Sequence, residues 1–265
     1  MKLDMKDQVV LVTGGDSGIG RAISLAFAGE GARVVVNYNS SQDKADEVVR
    51  EIVDGGGHAI AVQCNVASES DVERLFDDTI QAFGGLDILV ANSGIQKDAA
   101  FADMSLEQWK AVIDVNLTGQ FLCARAAVRR FRAQGNRGRM RANGVILCMN
   151  SVHETIPWAG HVNYAASKGG LGMLMRSLAQ EVAHEGIRVN GIAPGAIRTP
   201  INEYATEGDA GKKLLRLIPY GRIGDVADVA NLALFMASDL ADYMTGSTVY
   251  VDGGMTLYPG FEDNG

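Results

Sequence analysis

The sequence predicts an α/β protein built on one doubly wound parallel sheet of about seven strands, with helices on both faces. Short β-branched runs alternate with longer amphipathic stretches from one end of the chain to the other. That order produces right-handed strand–helix–strand crossovers. The runs are apolar at successive positions and not at every second one, as strands covered on both faces require. No linker, low-complexity segment or tandem repeat interrupts the pattern, so residues 1–265 read as a single domain.

The strand runs are 9–13, 33–38, 59–64, 86–91, 144–149, 187–193 and 247–251. The stretch 19–30 carries Ile23, Leu25, Ala26 and Phe27 and stops near Gly29 and Gly31. The stretch 68–83 opens on Ser68 with Asp71 three residues on, an acidic variant of a capping box. Residues 105–134 suffice for one long helix or two, and 163–184 and 225–238 complete the set. Two segments break the rhythm. Residues 135–143 form a Gly/Arg/Asn-rich loop insertion, near Arg129, Arg130, Arg132, Arg137, Arg139 and Arg141. It reads as a solvated insertion, with a subunit or anionic-ligand contact as the sharper alternative. Residues 198–223 follow a Pro-Gly turn and lack a strand, which suits a lid over a substrate site.

Bulk properties narrow the classes. A chain of 265 residues, 47% of them hydrophobic, buries a large core. A net charge of −8 disfavours nucleic acid and anionic membranes as partners. Cys64, Cys123 and Cys148 are dispersed among apolar neighbours, which fits core filling in a reducing compartment. The polar N-terminus lacks the apolar core of a signal peptide, and no run approaches the roughly 18 apolar residues of a membrane span. The expectation is a cytoplasmic protein. His58, His153, His161 and His184 are scattered, with no cysteine at ligand spacing, so no metal site is expected.

Gly14, Gly18 and Gly20, in Thr13-Gly14-Gly15-Asp16-Ser17-Gly18-Ile19-Gly20, follow the first strand and open the first helix. Glycines there permit a tight turn and close approach to a pyrophosphate, which the helix N-terminus attracts. Ala91-Asn92-Ser93-Gly94 ends another strand at the same edge of the sheet, which makes Asn92 and Gly94 candidates too. NAD binders usually end the second strand with an acid. Here it ends Asn37-Tyr38-Asn39-Ser40-Ser41, with no carboxylate, arginine or lysine. Asn39, Ser40 and Ser41 could donate to a 2′-phosphate, so NADP is expected to be accepted, with NAD used as well.

Tyr164 and Lys168 stand four apart on a helical stretch and share a face. An ammonium beside a phenol favours the phenolate and brings a group of pKa about 10 towards a useful acid/base range. Ser151 ends the preceding strand at the ligand edge and could hold a reacting oxygen. Asn116 lies in a helix interior, where it either caps a bend or holds a water near Lys168. Each taken alone also reads as an ordinary helix face or cap; their company with the phosphate cradle favours function.

These motifs resemble those of the short-chain dehydrogenase/reductase family, from Val9 to the C-terminal region, and imply a Rossmann-type fold. Tyr164 would then be the acid/base, with Ser151 orienting the substrate oxygen. Lys168 would bind the nicotinamide ribose and lower the tyrosine, and Asn116 would hold a relay water. The resemblance extends cofactor contacts to Ser17, Ile19, Asn65, Val66, Pro194, Gly195, Ile197 and Thr199. Asn65 stands where the family usually has an acid at the adenine, and Asn39 where NADP users are often basic. A closer likeness, to the glucose 1-dehydrogenase branch, runs through 150–158, 164–170, 195–202 and 252–259. It implies a homotetramer that oxidises a sugar hemiacetal. His153, Glu154 and Trp158 then become candidates to contact the sugar, as against packed or solvated loop residues. Gln96 joins them, where that branch tends to carry a carboxylate. The alternatives are a 3-oxoacyl thioester or other carbonyl reductase and, from another class, a non-catalytic cofactor-sensing or scaffold protein.

Overall fold

The structure, a computed structural model, describes residues 3, 5–200 and 208–257. Seven parallel strands form one sheet: β1 (Val9–Val12), β2 (Arg33–Tyr38), β3 (His58–Gln63), β4 (Ile88–Ala91), β5 (Gly144–Met149), β6 (Ile187–Pro194) and β7 (Thr248–Val251). Their order is β3-β2-β1-β4-β5-β6-β7, so the winding reverses between β1 and β4. That is the Rossmann-type order, in which ligands bind beyond the carboxyl ends at the reversal.

The continuous apolar runs follow from two cores, one on each face. Val10 and Val12 point to one face and Val9 and Leu11 to the other, so every position of β1 is buried. The first face is covered by α1 (Gly18–Gly29), α2 (Gln42–Asp54) and a later helix, Val226–Ala237. The second is covered by α3 (Glu69–Phe83), α5 (Gly119–Gln134) and α6 (Val162–Val182). The helix α4 (Leu106–Ile113) runs into α5 through a π-turn at Asp114–Thr118, so 105–134 is one bent helix. Ser105 and Gln108 close a capping box at its start, and Ser68 accepts from Asp71 N–H at α3. Two helices lie outside the sequence expectation. In α2 a narrow stripe of Ala45, Val48 and Ile52 is buried within an otherwise charged segment. The other, α7 (Gly208–Leu215), falls in 198–223, of which 201–207 lie outside the described residues; Val226–Ala237 is therefore α8. Among the described residues no helix is long and apolar enough to cross a membrane.

The loop 135–143 is not a solvated insertion. It folds over the amino edge of the sheet, opposite the ligand edge. Asp87, 3% exposed, accepts from Val9 N–H at 2.7 Å and from Arg137 Nη1 at 2.9 Å. Arg139 lies 3.8 Å from the same carboxylate and donates to the Asp7 carbonyl. Arg129 and Arg130 pair with Glu73 and Asp77 across α3 and α5, and Arg132 forks onto Glu185. The arginines thus tie loop and helices to the sheet. Burial holds the Asp87 carboxyl above its ordinary value despite both guanidiniums, and burial likewise lowers Arg137. Such a pair adds little net stability, yet removing one member leaves a buried charge alone. Asp87→Ala is therefore expected to lower unfolding free energy by about 3 kcal/mol, measured by urea denaturation; a loss under about 1 kcal/mol would mean that the pair behaves as a surface one.

Candidate active site

The turn between β1 and α1 needs its glycines. Gly14 and Gly18 have φ of +59° and +51°, a region costly for other residues. A Cβ on Gly20 would fall 2.0 Å from the Gly14 carbonyl oxygen and 2.6 Å from Asn92 Nδ2. Ser17 gives α1 no side-chain cap and its first turn holds no acid, so the N-terminal N–H groups remain available to an anion. The ends of β1 and β4 are joined where they diverge. Thr13 Oγ1 accepts from Asn92 N–H at 2.9 Å and Ser93 N–H at 3.0 Å, while Asn92 Nδ2 donates to the Thr13 and Gly14 carbonyls. Buried Asn37 accepts from Gly14 N–H at 3.2 Å and donates to the Val62 and Cys64 carbonyls, tying the turn to β2 and β3. This cradle fits a pyrophosphate.

The cradle opens into a cavity of about 1080 Å³, at the upper end of what small-molecule sites occupy. All the cofactor-side candidates line it. Gly14, Ser17, Gly18, Ile19 and Gly20 form one end, with Asn92 and Gly94. Asn39, Ser40, Asn65 and Val66 line it as well, and so do Pro194, Gly195, Ile197 and Thr199. Asn65 Oδ1 accepts from Ala67 N–H at 3.1 Å, so its amide nitrogen is the group left for a ligand. The missing helix α2 also hid a cation. Lys44, in its first turn, lines the cavity beside Asn39, Ser40 and Ser41, so the second-strand end does carry a positive charge. Asp16 lines it as well; burial raises its carboxyl and Lys44 acts against that rise.

Ser151, Tyr164 and Lys168 all line the cavity, with Tyr164 next to each of the other two. Ser151 stands two residues after the end of β5, and its Oγ accepts from His153 N–H at 3.2 Å. The Tyr164 phenol hydrogen-bonds to the side chains of Ser151 and Gln96. Lys168 Nζ donates to the Met149 carbonyl at 2.8 Å and lies 5.5 Å from the Tyr164 ring centroid. Burial pushes the lysine down to about 8. The expected lowering of Tyr164 is not found in this site. Burial holds the phenol above its ordinary value, outweighing the hydrogen bonds from Ser151 and Gln96. The ammonium reaches a backbone carbonyl, not the hydroxyl.

Two further expectations change. Asn116 is fully buried in the π-turn and does not line the cavity. Its Oδ1 accepts from Ile95 N–H at 2.8 Å, and Nδ2 donates to the Ile95 carbonyl and Ser167 Oγ. Both amide protons are committed, so the side chain braces the π-turn against the loop after β4. Glu154 also points away from the cavity, towards Asn150 and Tyr250. His153 and Trp158 do face it, in an arrangement the sequence hid. Trp158 is stacked between His153 (4.2 Å between centroids) and His161 (3.5 Å), and Tyr164 meets both His153 and Trp158 edge-on at 6.2 Å. His153 Nδ1 bonds the Ile156 carbonyl at 3.0 Å, and His161 Nε2 lies 3.2 Å from Asp98. Burial lowers His153, which favours the neutral imidazole. The cavity is also lined by the apolar side chains of Leu214, Leu217, Pro219, Met255 and Leu257, with Arg216 among them.

Comparison with known proteins agrees with this geometry. The model of the family described as enoyl-(acyl carrier protein) reductase matches residues 14–256. The chain is 48% identical to 3beta-hydroxysteroid dehydrogenase 1 of Eggerthella lenta, over 98% of this chain and 97% of that protein. It is 42% identical to glucose 1-dehydrogenase 2 of Bacillus subtilis, over 98% of each. Among solved structures it resembles a gluconate 5-dehydrogenase from Burkholderia cenocepacia in complex with NADP and tartrate, with a TM-score of 0.89, 32% identity and coverage of 97% and 98%. A dinucleotide cradle, a Ser–Tyr–Lys cluster and these likenesses over nearly the whole length lead to one assignment: the chain belongs to the short-chain dehydrogenase/reductase family.

Proposed function

We propose that this NAD(P)-dependent oxidoreductase works on a cyclic secondary alcohol or hemiacetal, with Tyr164 as its acid/base. The observation that carries the reading is the meeting of Ser151, Tyr164 and Lys168 in one cavity with the phosphate cradle. When bound, the dinucleotide supplies the hydride acceptor or donor. In the oxidative direction Ser151 holds the substrate oxygen and Tyr164 takes the hydroxyl proton. The hydride leaves the same carbon, whose C–O bond becomes a carbonyl. Lys168 supplies positive charge beside the phenol and, in the family's manner, holds a ribose. Burial favours the protonated phenol of Tyr164, so the phenolate forms when further positive charge enters, as an oxidised nicotinamide would bring.

On substrate, the sugar hemiacetal expected from the sequence fits the polar floor of Gln96, Asp98, His153 and His161. The apolar wall favours a second reading, a hydroxysteroid-like ring with an apolar body, in keeping with the activity named for the Eggerthella relative. A 3-oxoacyl thioester stays as the reductive alternative. For the cofactor, Lys44 with Asn39, Ser40 and Ser41 supports acceptance of a 2′-phosphate, and NADP is our first choice over NAD. We place the enzyme in the cytoplasm as a homotetramer; three buried free thiols support the reducing compartment, and sedimentation tests the assembly.

Three measurements test the reading. Tyr164→Phe is expected to reduce turnover by roughly 10²–10⁴-fold with dinucleotide affinity near that of the parent; substantial remaining turnover would revive the non-catalytic rival. Lys44→Ala is expected to weaken NADP roughly three- to fivefold and leave NAD unchanged; equal effects on both would remove Lys44 from the 2′ site. Initial rates with glucose, other aldoses and 3β-hydroxysteroids, each with NAD and NADP, separate the two substrate readings, and reduction of 3-oxoacyl thioesters alone would sink both.

A further inference from the structure

Glu154 is left unused by the reaction as read above, yet its setting is specific. It ends the single turn that begins after Ser151. Its Oε1 accepts from Tyr250 Oη of β7 at 2.7 Å, and its Oε2 accepts from Asn150 Nδ2. Asn150 is 3% exposed and its N–H donates to the Ile192 carbonyl at 2.7 Å, where β5 and β6 end. The helix α6 comes so near that a Cβ on Gly172 would lie 3.0 Å from Glu154 Oε2 and 3.3 Å from Asn150 Nδ2. No arginine, lysine or histidine forms an ion pair with Glu154 among the described residues. A carboxylate is thus held by two neutral donors at the back of the catalytic cluster.

We propose that Glu154 is a positioning residue for the reaction: gripped by Asn150 and Tyr250, it fixes the Ser151 turn against α6 and supplies the negative charge that holds Lys168 as an ammonium. This rests on the reading of Tyr164 and Lys168 as the acid/base pair.

Two ionisable groups act against the burial that pushes Lys168 down to about 8, and they are Cys148 from β5 and Glu154. Cys148 is itself pushed up to about 12 by burial, so at working pH it is a neutral thiol. Tyr164 presents its ring to the ammonium, and Asn116 and Gly94, on the other side, carry no charge. Beyond Glu154, Arg176 acts on the Tyr250 phenol. Glu154 is therefore the anion that opposes desolvation of Lys168. Without it the lysine titrates below its present value, so the ammonium is lost at lower pH and the alkaline limb of activity moves towards neutrality.

Glu154→Gln removes the charge and keeps the grip. The Gln oxygen accepts from Tyr250 while its amide donates to Asn150 Oδ1 after a flip of that side chain, an atom without a hydrogen-bond partner in the parent. The test is the pH dependence of kcat for Glu154→Gln, Glu154→Asp and Tyr250→Phe, each with its thermal midpoint. The alkaline limb of Glu154→Gln is expected to shift down by roughly half a pH unit or more with little change in midpoint. Glu154→Asp should bring it back towards the parent, and Tyr250→Phe, which keeps the charge, should leave it in place. An unshifted limb in Glu154→Gln overturns the proposal, as does an equal shift in Tyr250→Phe, since any disturbance of the turn would then suffice. Failure of the underlying reading shows separately, as turnover surviving in Tyr164→Phe.

Discussion

A parallel sheet covered on both faces leaves no place for polar chemistry except the ends of its strands, and that constraint governs the rest of the molecule. Any polar side chain on a face of β1, β4 or β5 would be buried in one core or the other, where an unpaired donor or acceptor costs about 1–3 kcal/mol. Buried polar residues accordingly gather near strand ends and on the helices packed against them, among them Thr13, Asn37, Asn116, Asn150, Ser151 and Lys168, while Asn190 inside β6 donates to the Met244 carbonyl and accepts from Ser247 N–H. At the carboxyl edge the reversal of winding between β1 and β4 opens a crevice. The Thr13–Asn92 bonds hold that crevice at a fixed width. Cradle and catalytic cluster therefore occupy one cavity because of topology, before any particular ligand is considered.

The two edges treat buried charge in opposite ways. At the amino edge Asp87 faces Arg137 and Arg139, and the buried Arg188 guanidinium donates to the Met236, Ala237 and Ser238 carbonyls at the end of α8. Those charges are met at close range and serve to fasten loops and helix ends. Among the described residues Lys168 donates to the Met149 carbonyl and forms no ion pair with a carboxylate. Its titration near 8 is the outcome of that sparse company. A cation tied to a close carboxylate would stay charged under all conditions and would have little field to offer a phenol; one left with a carbonyl keeps both its charge near neutrality and its reach.

The fold was legible in the sequence because its signals are local and repeated. Strand after strand is apolar at each position, and the glycines of 14–20 announce a turn that only they can make. The catalytic residues were legible for the same reason: Tyr164 and Lys168 are one helical turn apart, and Ser151 lies just past the end of a strand. What the sequence hid is of two kinds. The helix α2 carries its apolar stripe on three residues amid charges, so its periodicity is faint, and with it went the place of Lys44. The roles of Asn116 and Glu154 depend on partners far along the chain, Ile95 and Ser167 for one and Tyr250 for the other. The resemblance points Glu154 at the substrate; a hydrogen bond across 96 positions turns it round. Arg137 was misread in the same way, since its partner Asp87 lies 50 residues back.

Substrate choice lies in that second, non-local category. The resemblance makes Trp158 a candidate to contact a sugar, but both of its faces are covered by imidazoles, so its edge is what reaches the cavity. The stack is partly self-satisfied: His153 Nδ1 bonds its own turn and His161 Nε2 meets Asp98, so those polar atoms of the floor are already engaged. Recognition of many hydroxyls needs many polar groups, whereas an apolar ring needs one polar contact at the reacting oxygen and a wall to lie against. The wall here comes from α7 and the segments 217–219 and 255–257, which meet only in the folded chain.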